Sequence, residues 1–395
     1  MRNLLLVLAL VMVSQHTEAR PQYAVKSGSV NCIMCHQSPA GGGPRNVYGK
    51  IYASRGLGMG KHSSTDLYAA EVRAIGSWKT EDTSKNNNGF SIMNSTVSTA
   101  VPVLTNADGT NYKAIGSYDF QGYTRDSSAE LYFRHENNSA TGFKPKHIIV
   151  GKFNVPFGLF TEEHRTYTKK QVNNSLNQYD IGGMISGDII SSTHYDFALT
   201  QGYHNFKGSD ADSETTWSTT LNLRQLLGPM YVALSGIYTK SLVRPSPWAI
   251  SLNSAINISF LSSTLLIEAV VAKNYNNTDN NEEIARTGFG FIDSTKEATY
   301  LADIANKQSA GIYLRWDFDV KKDLVAFYKL DGFAPDKNHL RDYYLKHTVG
   351  ARYFINSNMD VDIRYEATDV KRAQSELAGV WASKDAVLVL AHAWF

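Results

Sequence analysis

A chain of 395 residues with a formal net charge of +2 and 19% charged residues gives no electrostatic case for a nucleic-acid partner. A mean hydropathy of −0.29 excludes a bundle of membrane-spanning helices, but it leaves a β-barrel open, because only alternate strand residues of a barrel must face lipid. The 22 Tyr, 17 Phe and 6 Trp would suit the aromatic girdles at the two interfaces of such a barrel.

The first 19 residues read as an export signal. Arg2 supplies a positive start, Leu4 to Val13 form an unbroken apolar run, and Thr17-Glu18-Ala19 offers a small-residue cleavage site. The run is well short of the roughly 20 residues that a helix needs to cross a bilayer, so it is not read as an anchor. The mature chain is expected to begin near Arg20, beyond the inner membrane.

Residues 20–65 contain the only two cysteines, in Cys32-Ile33-Met34-Cys35-His36. Two thiols two residues apart, followed at once by His, is the attachment sequence for c-type haem. Each thiol adds to one vinyl group, and the imidazole of His36 becomes the proximal iron ligand. Three other readings share these residues. A thioredoxin-type pair normally lies in a βαβ context, whereas the chain after Cys35 is rich in Gly and Pro. A zinc site needs a fourth ligand, which only a distant His supplies. A structural disulfide suits an exported protein. Downstream, Gly41-Gly42-Gly43 permits close backbone approach to a macrocycle, and Arg45 is placed to pair with a propionate. Met59 and His62 are the candidates for the distal iron position, with His164 a remote third. Their competing roles are apolar filler for Met59 and a solvated loop residue for His62. About 45 residues are too few for a well-cored globular cytochrome, so this segment is expected to fold as a plug in or under a barrel.

From residue 66 onward the hydrophobic period is 2. Gly311 to Phe318 puts Ile312, Leu314, Trp316 and Phe318 on one face and Tyr313, Arg315 and Asp317 on the other. Asp362, Arg364 and Glu366 share a face of 361–366, and Glu71 and Arg73 sit in an alternating run at 68–74. Residues 217–224 alternate in the same way. Strands are predicted at 67–78, 90–104, 112–124, 128–136, 146–153, 178–188, 192–203, 215–224, 229–239, 247–259, 263–274, 308–319, 323–330, 345–355, 359–367 and 386–395. Sixteen is an even number, as single-chain bacterial barrels require. Tight connections at 225–228, 260–262, 320–322 and 356–358 tend to alternate with long ones, notably 154–177, 275–307 and 368–385. The connection near Ser127 breaks this rule, being short where a long one is expected. Loop 275–307 carries Asp279, Glu282, Glu283 and Asp293, which read as a solvated loop rather than a cation site. An even strand count puts both termini on one side, expected to be the periplasm. The chain ends on an apolar strand, with Val387, Val389, Ala391, Ala393 and Phe395 on one face. Such an end resembles the closing strand of bacterial outer-membrane barrels. The expected fold class is therefore all-β: a transmembrane antiparallel barrel of about 16 strands over 66–395, preceded by the short monohaem segment.

Cys32, Cys35 and His36, with Pro39, Gly41-Gly42-Gly43, Arg45-Asn46 and Tyr48-Gly49 and a barrel to follow, resemble the fused monohaem cytochrome–porins of the bacterial outer membrane. That group includes the iron-oxidising outer-membrane cytochromes. Gly151 to Leu159 is similar to a strand-and-loop segment of anion-selective porins and cytochrome–porins. The resemblance implies one covalent haem c, with Arg45 and Asn46 beside it. It further implies electron transfer between an extracellular donor or acceptor, Fe(II) among them, and a periplasmic c-type cytochrome or other carrier. No residue set here matches a ferrous-iron oxidase centre. One haem does not cover a hydrocarbon core of roughly 30 Å, so partners are expected in addition to lipid. The competing expectations are a diffusion porin for small or anionic solutes, with Glu71, Arg73, Arg315, Asp317 and Arg364 setting its selectivity and the haem segment as gate, and a haem enzyme with an open sixth site.

Overall fold

The computed structural model describes residues 67–79, 89–106, 110–120, 128–137, 140, 142–159, 166–172, 179–202, 216–241, 245–275, 307–321, 323–338, 343–356, 359–371 and 385–394. Sixteen strands are present: β1 Tyr68–Lys79, β2 Gly89–Thr105, β3 Asn111–Asp119, β4 Ser128–Glu136, β5 His147–Asn154, β6 Tyr179–Ile190, β7 Thr193–Thr200, β8 Trp217–Leu227, β9 Met230–Lys240, β10 Trp248–Ile258, β11 Ser263–Lys273, β12 Gln308–Lys321, β13 Leu324–Ala334, β14 Tyr343–Asn356, β15 Met359–Lys371 and β16 Ala386–Trp394. Among the described residues one short α-helix, α1, covers Tyr167–Lys170. Each strand pairs antiparallel with its sequence neighbours, and β1 pairs with β16 from Glu71↔Trp394 to Lys79↔Ala386. Closure leaves no strand edge, which is the condition for putting sheet backbone into lipid.

The faces sort as the alternation predicts. Ile312 is 46% exposed on the outside, whereas Tyr313, Arg315 and Asp317 on the inside are 1%, 4% and 2% exposed. In β15, Asp362 and Arg364 point inward while Ile363 is exposed. In β16, Leu388 and His392 are buried while Val387 is exposed. Phe395 lies outside the described residues. Buried charge inside and exposed leucine, valine and phenylalanine outside is the reverse of a water-soluble sandwich, and it fits a wall facing lipid. The interior charges are paired rather than bare. Arg315 Nε lies 2.7 Å from Asp317, Arg352 2.8 Å from Asp362, and Arg73 2.5 Å from Glu71.

From β5 onward, connections alternate in length around the two rims. The tight turns at 191–192, 228–229 and 259–262 lie on the rim where β1 begins and β16 ends. The connection near Ser127 is longer than the sequence suggested, although 137–146 on the opposite rim is longer still, so the first hairpins keep to the rule less closely than the rest. β3 ends at Asp119 rather than 124, because its ladder with β2 stops at Thr96↔Asp119, where Phe120 N–H donates to Ser95 O. Residues 120–127 remain for that connection.

Leu252, in the middle of β10, is 56% exposed and outward. Replacing it by Arg (L252R) should destabilise the barrel by about 2–4 kcal/mol, the cost of a guanidinium at bilayer mid-depth. Equilibrium denaturation in liposomes would read it.

Candidate functional site

The interior is shaped by the chain that follows β5. Val155–Leu159 does not leave into solvent but turns into the barrel and lies on the inner wall of β9–β12. Val155, Phe157 and Val172 pack with Ile237, Ala249, Val270, Ala272 and Tyr275. Leu159 packs with Tyr231, Ala233, Ala255, Leu266 and Tyr313. Apolar inward positions on these strands thus receive the apolar start of the connection, which removes both from water.

Polar anchors fix its path. Glu268 Oε1 accepts from Leu159 N–H at 2.8 Å, from Ser251 Oγ–H at 2.8 Å and from Lys169 Nζ at 3.4 Å. Lys169 also donates to Phe157 O at 2.6 Å, closing the segment on itself. Both ends of this ion pair are buried. Burial pulls the Lys169 ammonium below the usual lysine range, and the Glu268 carboxylate acts in the opposite direction. Gly158 has φ +66°, and a Cβ there would collide with Glu268 Oε1, so this bend requires glycine. Further along, Tyr167 N–H donates to Asp331 Oδ1 at 3.0 Å, and its ring meets Tyr344 edge-on at 4.7 Å. Ser309 Oγ–H donates to Gln171 Oε1 at 3.1 Å. Gly311 faces this amide so closely that a side chain there would overlap it. The inward segment is therefore pinned to β9–β13 and narrows the lumen from that side.

Charged side chains line the walls. On β3–β5, Lys113 and Arg134 hold Glu136 at 2.8 and 2.7 Å, with His147 beside it at 4.0 Å. On β6–β8, His194 is clamped between Asp188 at 2.7 Å and Asp196 at 3.1 Å, with Lys146 on Asp188 and Arg224 on Asp196. On β14–β16 and β1, Arg352, Asp360, Asp362, Arg364 and His392 form a further chain of ion pairs that ends on Glu71. Such a wall presents fixed charges of both signs to the barrel interior.

Of the sequence candidates, Glu71, Arg73, Arg315, Asp317 and Arg364 all face the interior. Cys32, Cys35, His36, Arg45, Asn46, Met59, His62 and His164, and most of loop 275–307, lie outside the described residues. Among the described residues no cluster of His, Cys, Asp or Glu is placed to hold a metal ion. Sequence reasoning placed 154–177 among the long loops and missed its inward course. The signal available was the apolar composition of Val155-Pro156-Phe157-Gly158-Leu159, which a solvated loop does not need. It also missed the anchors Glu268 and Asp331 and the His194 clamp.

No protein-family model matches the chain, and no curated protein matches it in sequence. Solved structures do. The outer membrane channel DcaP of Acinetobacter baumannii aligns with a TM-score of 0.56 at 10% identity, over 83% of this chain and 96% of that one. The anion-selective porin from Comamonas acidovorans gives 0.56 at 11% identity, over 83% and 98%. The fold is porin-like. OmpF of Salmonella typhi, solved with daunomycin, agrees at 0.56 and 10% identity, over 83% and 97%. At such identities the porin-like barrel shares its architecture, not its residues, with these channels.

Proposed function

We propose that this chain is a diffusion channel of the bacterial outer membrane, passing small solutes through a lumen narrowed by the segment after β5 and screened by its charged walls. The inward-folded segment carries this reading. A wall-anchored constriction at Glu268 and Asp331 is a costly structure, with a buried ion pair, and a passage with a size and charge limit gives it a use. The structures it resembles, a channel and an anion-selective porin, support it. The membrane would lie around the outward apolar belt, with the tight-turn rim and both chain ends on the periplasmic side. Incorporation of the purified protein into a planar bilayer tests the reading. Stepwise conductance with a measurable ion preference is expected, and a protein that inserts without conducting would overturn it.

A second reading is favoured by one specific observation, Cys32-Ile33-Met34-Cys35-His36. Here the channel carries one covalent haem c, held by thioether bonds to Cys32 and Cys35 and ligated by His36. Arg45 and Asn46 would help hold it, and Met59 or His62 would supply a second ligand to its iron. Bound there, the haem supplies one-electron redox chemistry. The protein would then move electrons between the cell exterior and periplasmic carriers. Reduction of the haem in sealed proteoliposomes by an impermeant outside donor, with an acceptor inside, distinguishes this from passive diffusion. No reduction would leave the diffusion reading alone.

A further inference from the structure

Between its two rims the outer face of β8–β11 is uncharged, with Leu221, Leu234, Leu252 and Ile267 exposed. Its only charges are Lys240 and Lys273, each the last residue of its strand, on the rim opposite the tight turns. The tight-turn rim of the same strands, residues 226–230 and 258–263, has no charge and exposes Leu227, Phe260 and Leu261. One membrane surface thus meets cations here and the other meets apolar side chains.

Register gathers the two lysines around aromatic rings. Lys240 is the partner of Trp217, and Trp248 is the partner of both Tyr238 and Lys273. The exposed rings of Trp217 and Tyr238 meet edge-on at 6.2 Å. Indole and phenol rings settle at headgroup depth, which puts the neighbouring ammonium groups at the level of lipid phosphates. The backbone at this rim is fixed: Thr239 N–H donates to Pro247 O at 2.9 Å, and Asn274 Nδ2–H donates to Ser246 O at 2.9 Å. Lys240 is exposed, and neither lysine has an ion-pair partner among the described residues. Two strand steps across and two residues along separate their Cα atoms by about 12 Å.

We propose that this corner of the outer face holds an anionic lipid of the outer leaflet, a glycolipid with a phosphate at each end of a disaccharide headgroup. Each ammonium group takes one phosphate, and Trp217, Tyr238 and Trp248 pack against the sugar and the start of the acyl chains. Two cations set apart in this way suit two separated phosphates better than a single one. A zwitterionic headgroup carries its own cation and offers them no net charge. The choice of leaflet rests on the orientation proposed above, with the tight-turn rim in the periplasm.

Native mass spectrometry of the whole exported protein in detergent, titrated with bisphosphoryl lipid A, tests the site. It makes no use of conductance, so a barrel that fails to conduct still gives a readable result. Each variant is first checked for the resistance of a folded barrel to detergent at room temperature. The parent is expected to retain one lipid A. Lys240→Gln and Lys273→Gln should each weaken retention about fivefold and the double variant roughly 25-fold, while Lys321→Gln on the tight-turn rim leaves it unchanged. Monophosphoryl lipid A should bind the parent about as weakly as the bisphosphoryl form binds a single-lysine variant. A folded double variant with the parent's affinity, or a parent that holds monophosphoryl lipid A or cardiolipin as tightly as bisphosphoryl lipid A, would overturn the site.

Discussion

Replacing Glu268 by Ala is expected to free the inward segment and raise the single-channel conductance while the barrel itself stays folded. Glu268 is the common acceptor for Leu159 N–H, Ser251 Oγ–H and the Lys169 ammonium. Its removal leaves a buried cation without its counter-charge, a loss of about 3–5 kcal/mol. The sixteen-strand ladder does not pass through this residue's side chain, so the loss falls on the position of residues 155–172 rather than on closure. The expected record is a larger mean conductance with added low-frequency noise, together with new protease cuts in 160–178 that the parent resists. Glu268→Gln, which keeps a hydrogen-bond acceptor but not the charge, should lie between the two. A Glu268→Ala channel with the parent's conductance and protease pattern would show that the segment is held by its apolar contacts alone.

On the haem reading, double replacement of Cys32 and Cys35 by Ser is expected to abolish covalent haem altogether. Attachment through thioether bonds needs the thiols themselves, so the effect is all-or-none rather than graded. Haem staining after denaturing electrophoresis should go from a full band to none, while the variant keeps the electrophoretic mobility of a folded barrel. On the same reading, His36→Ala should shift the Soret band of whatever haem remains, because the proposed proximal ligand is lost. A parent protein exported in its natural host with no porphyrin on the peptide containing Cys32 would remove the electron-transfer reading and leave the channel.

Strand existence, strand number and the direction of each face were legible in the chain, and the reason is local. In a strand the side-chain period is 2 whatever lies nearby, so Ile312 and Arg315 fall on opposite faces without reference to the rest of the fold. Boundaries were less so. The run Tyr118 to Thr124 keeps an extended-looking composition, yet β3 stops at Asp119 because the rung with β2 ends there.

By itself, then, the sequence determined the architectural class and the outward and inward sets of residues. Tertiary structure alone decided what the interior contains. The inward segment is held by Glu268, 109 positions from Leu159, and by Asp331, 164 positions from Tyr167. His194 is clamped by carboxylates on its own strand and on β6. The apolar cluster on β2–β7 exists only because register aligns residues from six strands. Contacts of this kind depend on how a closed sheet brings distant residues to one level, and no local period in the chain encodes that distance.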